Sequence, residues 1–438
     1  MPTLHRGRSR PISPCRTALV ALVLGVSGLA HAQESAAEPA AGPEPPPLSF
    51  KKPEIARKFE RLYEKVTATG FYPTIRGLAA GTGIGPGLTF WKPRPFGGPV
   101  GVLGTVGWNP RVLLLEARLG RIPARPGKIP DRRFTLESLT ADAPEGPNHR
   151  WFLFFEARRL GIKDDRLYFT TGPGGVVAPA TIPPSTRFLE DSPDSVTAHF
   201  DVEDHDADLV GGYHLQKGFA VSARVGYVRA STFFDPGEEK PPGLPPIPGV
   251  NDTTGFNRVR VDLIFDQRDN RNRAHRGVLL HGTWVEMDER KGSVYGFDRF
   301  RLDARAFFST PSRRHTLALR ALGVQDEPEG DKLVPFYYQQ TLGGNHLLRS
   351  YPIFRFRGTR ILGLSAEYRL GLFRFLELAA FYDRGKVSGD VEALGSLGWK
   401  DSVGASARWV SEKDVIFRVF GAYGGEGWRF GATGAFPF

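Results

Sequence analysis

Asp201, Glu203, Asp204, Asp206 and Asp208, with His205 among them, crowd five carboxylates and an imidazole into eight residues. Such a run offers oxygen ligands to a hard cation, but a calcium loop sets its ligands at defined positions. No such loop spacing occurs here, so the run reads as a hydrated acidic loop or a lumen-facing stretch. Elsewhere the sequence lacks the helical H-E-x-x-H of a zinc protease, the G-x-S-x-G of a serine hydrolase and any Cys/His cluster. The ten histidines are scattered and Cys15 is the sole cysteine. These residues predict no catalytic centre, no metal site and no cofactor.

The N-terminus determines the compartment. Arg6, Arg8, Arg10 and Arg16 form a basic region, Thr17 to Ala30 is uncharged and mostly apolar, and Ala30-His31-Ala32 suits cleavage. Residues 1–32 are therefore expected to be a secretory signal peptide. Cleavage would remove Cys15 and four of the 58 basic residues but none of the 47 acidic ones, leaving a formal charge of +7. An exported chain seldom meets nucleic acid, so the excess is assigned to a polar lumen or anionic head groups. Residues 33–52 form a Pro- and Ala-rich linker. Residues 53–70 follow as one amphipathic periplasmic helix, with Ile55, Phe59, Leu62 and Val66 at helical spacing.

From Phe71 onward the period becomes two. Phe300, Leu302, Ala304, Ala306 and Phe308 alternate with Arg301, Asp303 and Arg305; Leu362, Leu364, Ala366, Tyr368 and Leu370 alternate with Ser365, Glu367 and Arg369. Val259, Val261, Leu263 and Phe265 alternate with charged residues in the same way, and Trp428, Phe430, Ala432, Gly434, Phe436 and Phe438 close the chain on one face. A soluble sandwich also alternates. Ionised groups on one face and aromatics ending the other fit a membrane barrel better, and no apolar run after Ala32 is long enough for a membrane helix. The expected fold is all-β: a transmembrane antiparallel β-barrel over residues 71–438.

Sixteen strands are expected: 73–91, 99–107, 111–121, 150–160, 165–171, 196–215, 218–230, 257–267, 277–287, 294–308, 314–340, 360–371, 374–387, 401–411, 414–424 and 428–438. Connections after even-numbered strands are short (108–110, 161–164, 216–217, 270–276, 309–313, 372–373, 411–413). Those after odd-numbered strands are mostly long, including 122–149, 172–195, 231–256 and 341–359. Short periplasmic turns alternating with long outer loops predict an even strand number and two periplasmic termini in the outer membrane. The terminal aromatics Phe436 and Phe438 are expected to act as a C-terminal assembly signal.

Three stretches resemble one family. Leu342-Gly343-Gly344 leads to Leu348-Arg349-Ser350-Tyr351-Pro352; Ala380-Phe381-Tyr382-Asp383-Arg384-Gly385 is similar to an F-x-D-x-G strand motif; Asp266-Gln267-Arg268-Asp269-Asn270 with Gly277 is similar to a D-x-R-D-N turn. Together they resemble the bacterial surface antigen family, the superfamily of barrel-assembly and two-partner secretion translocases. The resemblance covers Val259 to Phe438 well and the N-terminal half only in general pattern. It implies that the loop between strands eleven and twelve folds back into the lumen, where Arg349 meets Asp383 and Glu367 as a latch. Alternation independently sets Glu367 on the polar face. Ser350 stands at the family's usual Gly, which would cost strain if that position needs φ > 0.

The family's members insert barrels into the outer membrane or pass polypeptides across it, usually with periplasmic repeat domains for which this sequence has no room. The resemblance therefore implies a repeat-less, non-enzymatic barrel acting in outer-membrane protein assembly or polypeptide translocation. It would act either alone or with a separate periplasmic protein, and its other partners would be outer-membrane lipid and client barrels or secreted polypeptides. The alternative is a passive channel or structural surface barrel with a basic lumen that favours anions.

Overall fold

The computed structural model describes residues 70–434 except 78–83, 93–94, 96–99, 123–150, 173–174, 178–195, 217, 235–247, 250, 293, 389–397 and 412–414. The signal peptide, linker and amphipathic helix expected before Gly70 lie outside the described residues, as do Phe436 and Phe438.

Sixteen antiparallel strands pair each with the next along the chain. They are β1 (Phe71–Gly77), β2 (Ile84–Lys92), β3 (Gly101–Asn109), β4 (Val112–Arg121), β5 (Trp151–Gly172), β6 (Val196–Gln216), β7 (Phe219–Phe234) and β8 (Thr253–Asp266). Then come β9 (Gly277–Glu289), β10 (Gly296–Ser309), β11 (His315–Pro328), β12 (Arg360–Phe373), β13 (Leu376–Ser388), β14 (Lys400–Val410), β15 (Val415–Gly424) and β16 (Gly427–Gly434). Among the described residues no register joins β1 to β16.

The count of sixteen hides two expectations that fail and cancel. Residues 73–91, expected as one strand, are the hairpin β1–β2, paired from Phe71↔Phe90 to Gly77↔Ile84. The chain reverses between Gly77 and Ile84, across residues 78–83 that lie outside the described ones. Conversely, 150–160 and 165–171 are one strand. The Gly161–Asp164 stretch does not reverse the chain but is absorbed as a bulge in the β5–β6 ladder between Ile162 and Asp165. Beyond Ile162, β5 has outrun β4; it pairs with β6 as far as Phe169 and then with the short strand Gly175–Val177. The expected strand 314–340 stops at Pro328, and a short 3-10 turn occupies Phe336–Tyr338.

The alternation of connection lengths fails in the same region. The tight turn at residues 110–111 lies at the end of the sheet that carries the long loops, and the connection 122–150 lies at the end that carries the short turns. From β6 onward the expected pattern holds: 267–276, 310–314 and 374–375 share one end, here the turn end, and 235–252 and 329–359 share the other, the loop end.

The sheet is inside out relative to a soluble protein. On one face Phe430 is 76% exposed and Trp428 67%, with Leu209, Val225, Phe308 and Leu364 also exposed. On the other Arg118, Glu156, Asp208, Asp303, Glu367 and Asp383 are buried. Such sorting costs free energy in water and suits an apolar solvent outside and a polar interior. The buried charged face, here the inner face, has apolar clusters towards each end: Trp91, Leu103, Phe152 and Leu279 at the turn end, Phe256, Met287, Tyr295 and Phe297 at the loop end.

Candidate functional site

The loop 329–359 returns along the inner face. A two-strand stem, Gln340–Leu342 against Phe356–Gly358, opens it. Gly343 and Gly344 then take φ of +104° and +110°, and a Cβ on Gly343 would lie 2.3 Å from the Pro352 carbonyl oxygen. The tip is closed by Gly344 N–H donating to the Tyr351 carbonyl (3.1 Å) and Tyr351 N–H donating to that of Leu348 (3.0 Å). Its floor is a notch formed by Gly363 and Gly385, which face each other across β12 and β13. A Cβ on Gly363 would meet Leu347 at 2.1 Å, and one on Gly385 would meet Leu342 and Leu348 at 2.9 and 3.0 Å. Leu348 and Tyr351 are buried against Phe356, Ile361 and Val387.

Ser350 does not take a positive φ; the left-handed non-glycine residues of the loop are Leu348, at +54°, and Phe354, at +63°. Serine in place of glycine therefore carries no backbone strain. Its N–H donates to Ser402 Oγ (2.8 Å), and the absent Cβ of Gly424 admits it, since that atom would lie 2.2 Å from Ser350 Oγ.

The loop brings Arg349 together with Glu367 and Asp383. Arg349 Nε and Nη2 grip Asp383 Oδ2 and Oδ1, both at 2.8 Å, and Nη1 donates to Glu367 Oε2 at 2.7 Å. The fork suits two carboxylates held by adjacent strands. Ser365 Oγ links the pair, accepting from Arg349 Nη2 (3.2 Å) and donating to Asp383 Oδ1 (2.7 Å). The Arg349 guanidinium carbon stands 3.4 Å from the centre of the Phe381 ring. All three charged side chains are fully buried. Burial alone would loosen the Arg349 proton, but the two carboxylates outweigh it and hold the proton more tightly than usual.

The cluster extends beyond those three residues. Arg369 Nε donates to Glu367 Oε1 (2.8 Å), and Arg408 lies 3.2 Å from Glu377 and 3.6 Å from Glu367. Three guanidinium groups thus face three carboxylates, which is how buried charges are tolerated. Two further contacts tie the loop to β16: Arg429 donates to the Arg349 carbonyl (2.9 Å) and to Asn345 Oδ1 (2.8 Å). Ser365, Phe381 and Arg369 had no assigned role in the sequence, yet each lies two residues from Glu367 or Asp383 on the same strand. The period of two that places Glu367 places them too. Arg408 and Arg429 reach the site across strands distant in sequence, which alternation cannot foresee.

The turn motif docks from the opposite end. Arg268 Nε and Nη2 chelate Asp266 at 2.9 and 2.8 Å. Asn270 Oδ1 accepts from the N–H groups of Asn272 and Arg273, and Asp269 Oδ1 from those of His275 and Arg276. Gly277, at φ +104°, ends the turn where a Cβ would lie 2.1 Å from the Gln267 carbonyl oxygen. The turn so shaped sends Arg273 to Glu377 (2.7 Å) and the Ala274 carbonyl to Arg369 Nη1 (3.1 Å). Loop and turn therefore meet through Glu367 and Arg369: Arg349 holds one oxygen of Glu367, Arg369 holds the other, and Arg369 also holds the turn.

The acidic run of β6 is split by alternation. Glu203 points with Arg159 to one face, while Asp206 and Asp208 lie on the other with Arg158, Arg224 and Arg258. Arg158 Nε donates to Asp206 at 2.7 Å and Arg224 Nη1 to Asp208 at 2.9 Å. These carboxylates are occupied by guanidinium groups, and among the described residues no His/Cys/Asp/Glu group is arranged to hold a metal.

Residues 184–412, which include the loop, both carboxylates and the turn, match the Omp85 superfamily domain. No curated protein matches the chain. Among solved structures, BamA from Haemophilus ducreyi lacking POTRA domains 1-3 is similar in fold, with a TM-score of 0.54 and 10% identity over 87% of this chain and 79% of that one. CdiB from Escherichia coli aligns with a TM-score of 0.46 and 12% identity over 87% and 71%. Because the domain match spans more than half of its residues, this chain belongs to the Omp85 superfamily.

Proposed function

We propose that the sheet closes into a barrel along a weak seam between β1 and β16, and that this seam offers its edges to client strands during outer-membrane protein assembly or polypeptide translocation. The superfamily's role in outer-membrane insertion and transport supports the general activity. The seam reading is carried by one observation: the described residues of β1 and β16 each pair on one side only. Among the described residues the two strands are short, seven and eight residues. In lipid an unpaired edge is costly, so a seam held by few hydrogen bonds exchanges readily for pairing with an incoming strand.

The loop gives this seam a fixed side. Arg349 fastens the loop to β12 and β13, and Arg429 fastens β16 to the loop. In this reading Arg349, Glu367 and Asp383 are a latch that positions the edge strand, the turn end faces the periplasm with both termini, and a separate periplasmic protein delivers clients. A passive channel fits less well, because the buried tip of the loop fills the inner side of β12 and β13.

The test uses the full chain in vesicles with a heat-modifiable barrel protein as client. The reading requires faster client folding than in empty vesicles. Steady ion conductance without any acceleration would select the channel instead.

A further inference from the structure

At the turn end, two neighbouring turns carry three arginines without a partner. Arg313 and Arg314 lie in the β10–β11 turn and Arg374 in the β12–β13 turn; all three are exposed, and no carboxylate pairs with them among the described residues. The turns are joined, since Gly371 N–H donates to the Arg314 carbonyl at 2.7 Å. Between them and the docked turn 267–276 lies a cavity of about 440 Å³, lined among others by Asn270, His275, Ser312, Arg313, Arg314 and Phe373. Its one carboxylate, Asp269, accepts from the N–H groups of His275 and Arg276, and Arg273 in its wall is committed to Glu377 and the Ser411 carbonyl. Apart from Gly371 and Phe373 the remaining lining is cationic and hydrogen-bonding, at a volume within the range of small-molecule sites.

Beside this cationic rim stands an apolar one. Phe373 and Phe375 are 60% and 58% exposed, with rings stacked at 5.6 Å and 12°. Exposed Phe308, Leu317 and Leu378 continue along the adjoining strands. Arginines at the end of an apolar wall, with aromatic rings at the boundary, match a molecule that is anionic at one end and hydrocarbon at the other.

We propose that this rim is a binding site for an anionic phospholipid, its phosphate held by Arg313, Arg314 and Arg374 and its acyl chains lying against the exposed face above Phe373 and Phe375. The proposal rests on the reading of the sheet as a membrane barrel whose turn end meets the phospholipid-facing interface. A free phosphate would use the arginines alone, so the apolar contact distinguishes the two sources. The site would anchor the wall strands that hold Glu367 and Glu377 at a fixed height in the bilayer.

The experiment titrates fluorescent phosphatidylglycerol, and separately phosphatidylcholine, into the full chain folded in zwitterionic detergent, with inorganic phosphate as competitor. Phosphatidylglycerol should bind more tightly than phosphatidylcholine. Each arginine removed should weaken it roughly fivefold, so Arg313→Gln, Arg314→Gln and Arg374→Gln together should cost on the order of 100-fold. Arg314→Glu alone provides the same test if the triple variant does not fold. Phe373→Ser with Phe375→Ser should weaken lipid binding, and Lys291→Gln at the loop end should change nothing. Equal affinity for the two lipids, or a variant that binds like the wild type, overturns the site. Full displacement by inorganic phosphate, with no effect of the phenylalanine substitutions, makes it a free-anion site and overturns the lipid assignment. A heat-modifiable, detergent-folded chain that lacks lipid preference sinks this inference alone, whereas a chain soluble without detergent sinks the barrel reading with it.

Discussion

Arg349 is the most connected cation of the site, and its loss leaves two carboxylates buried with fewer donors. Arg349→Ala should therefore destabilise the folded protein by roughly 3–5 kcal/mol if the site is dry, because the penalty is that of stranded buried charge. Arg349→Lys should recover only part, since an ammonium cannot grip Asp383 with two parallel bonds while reaching Glu367. Urea-dependent loss of the folded gel band, compared across the two variants, checks the order; equal behaviour of Lys and Ala would mean that the fork geometry is irrelevant. The carboxylate side of this site was legible because a strand sorts side chains by parity, and Ser365, Glu367 and Arg369 share one face. Arg349 itself was legible only through its flanking residues, since an isolated loop arginine carries no signal. Arg429 was not legible at all: it lies 80 residues from the carbonyl it binds.

At the scale of elements, the loop is seated by space as much as by charge. The Gly363–Gly385 notch receives Leu347 and Leu348, so Gly363→Val should expel the tip while leaving every ionised group in place. Protease cleavage within 343–355, slow in the wild type and fast in the variant, would report that release; unchanged cleavage would show that charge alone seats the loop. The turn 267–276 gives a pH dependence. His275 donates its N–H to Asp269 and its ring meets Thr316 Oγ1 at 2.9 Å. Burial, reinforced by Arg273 and Arg369 against Glu377 and Asp269, lowers its pKa below the ordinary histidine value. The unfolded chain therefore takes up this proton first as pH falls. The stability that His275 contributes is complete above about pH 6.5 and declines below it. The melting temperature of the wild type should fall between pH 7.5 and 5 by more than that of His275→Gln, and parallel curves would contradict the assignment. Elements were also where sequence reading went astray. The glycine-rich sequence hid the reversal between β1 and β2, and a bulge in β5 imitated a turn, because Gly and Asp serve turns and bulges alike. The total survived only because one strand was gained and one lost. On the C-terminal side the short connections 267–276, 310–314 and 374–375 lie near the expected ones, but the strand expected to reach 340 ends at Pro328.

At the scale of the whole molecule, the sheet exposes aliphatic and aromatic residues and buries its charges. Loop and turn converge from opposite ends on Glu367 and Arg369. In the proposed reading, that convergence fixes β12 and β13 and leaves the exchange of partners to the edges β1 and β16. The C-terminal strand thus has two connections of unequal strength: a full ladder to β15, and through Arg429 a hydrogen-bonded tie to the loop. Arg429→Ala should loosen the second without touching the first, so it should change the rate of client folding more than the melting temperature of the barrel; the opposite ranking would remove the loop from the working seam. The most direct measurement is client folding by full chain carrying one cysteine in β1 and one in β16, oxidised and then reduced in the same vesicles. The reduced protein should accelerate folding, the oxidised protein should not, and reductant should restore the rate. An oxidised, crosslinked protein that accelerates folding as well as the reduced one would contradict the proposed seam.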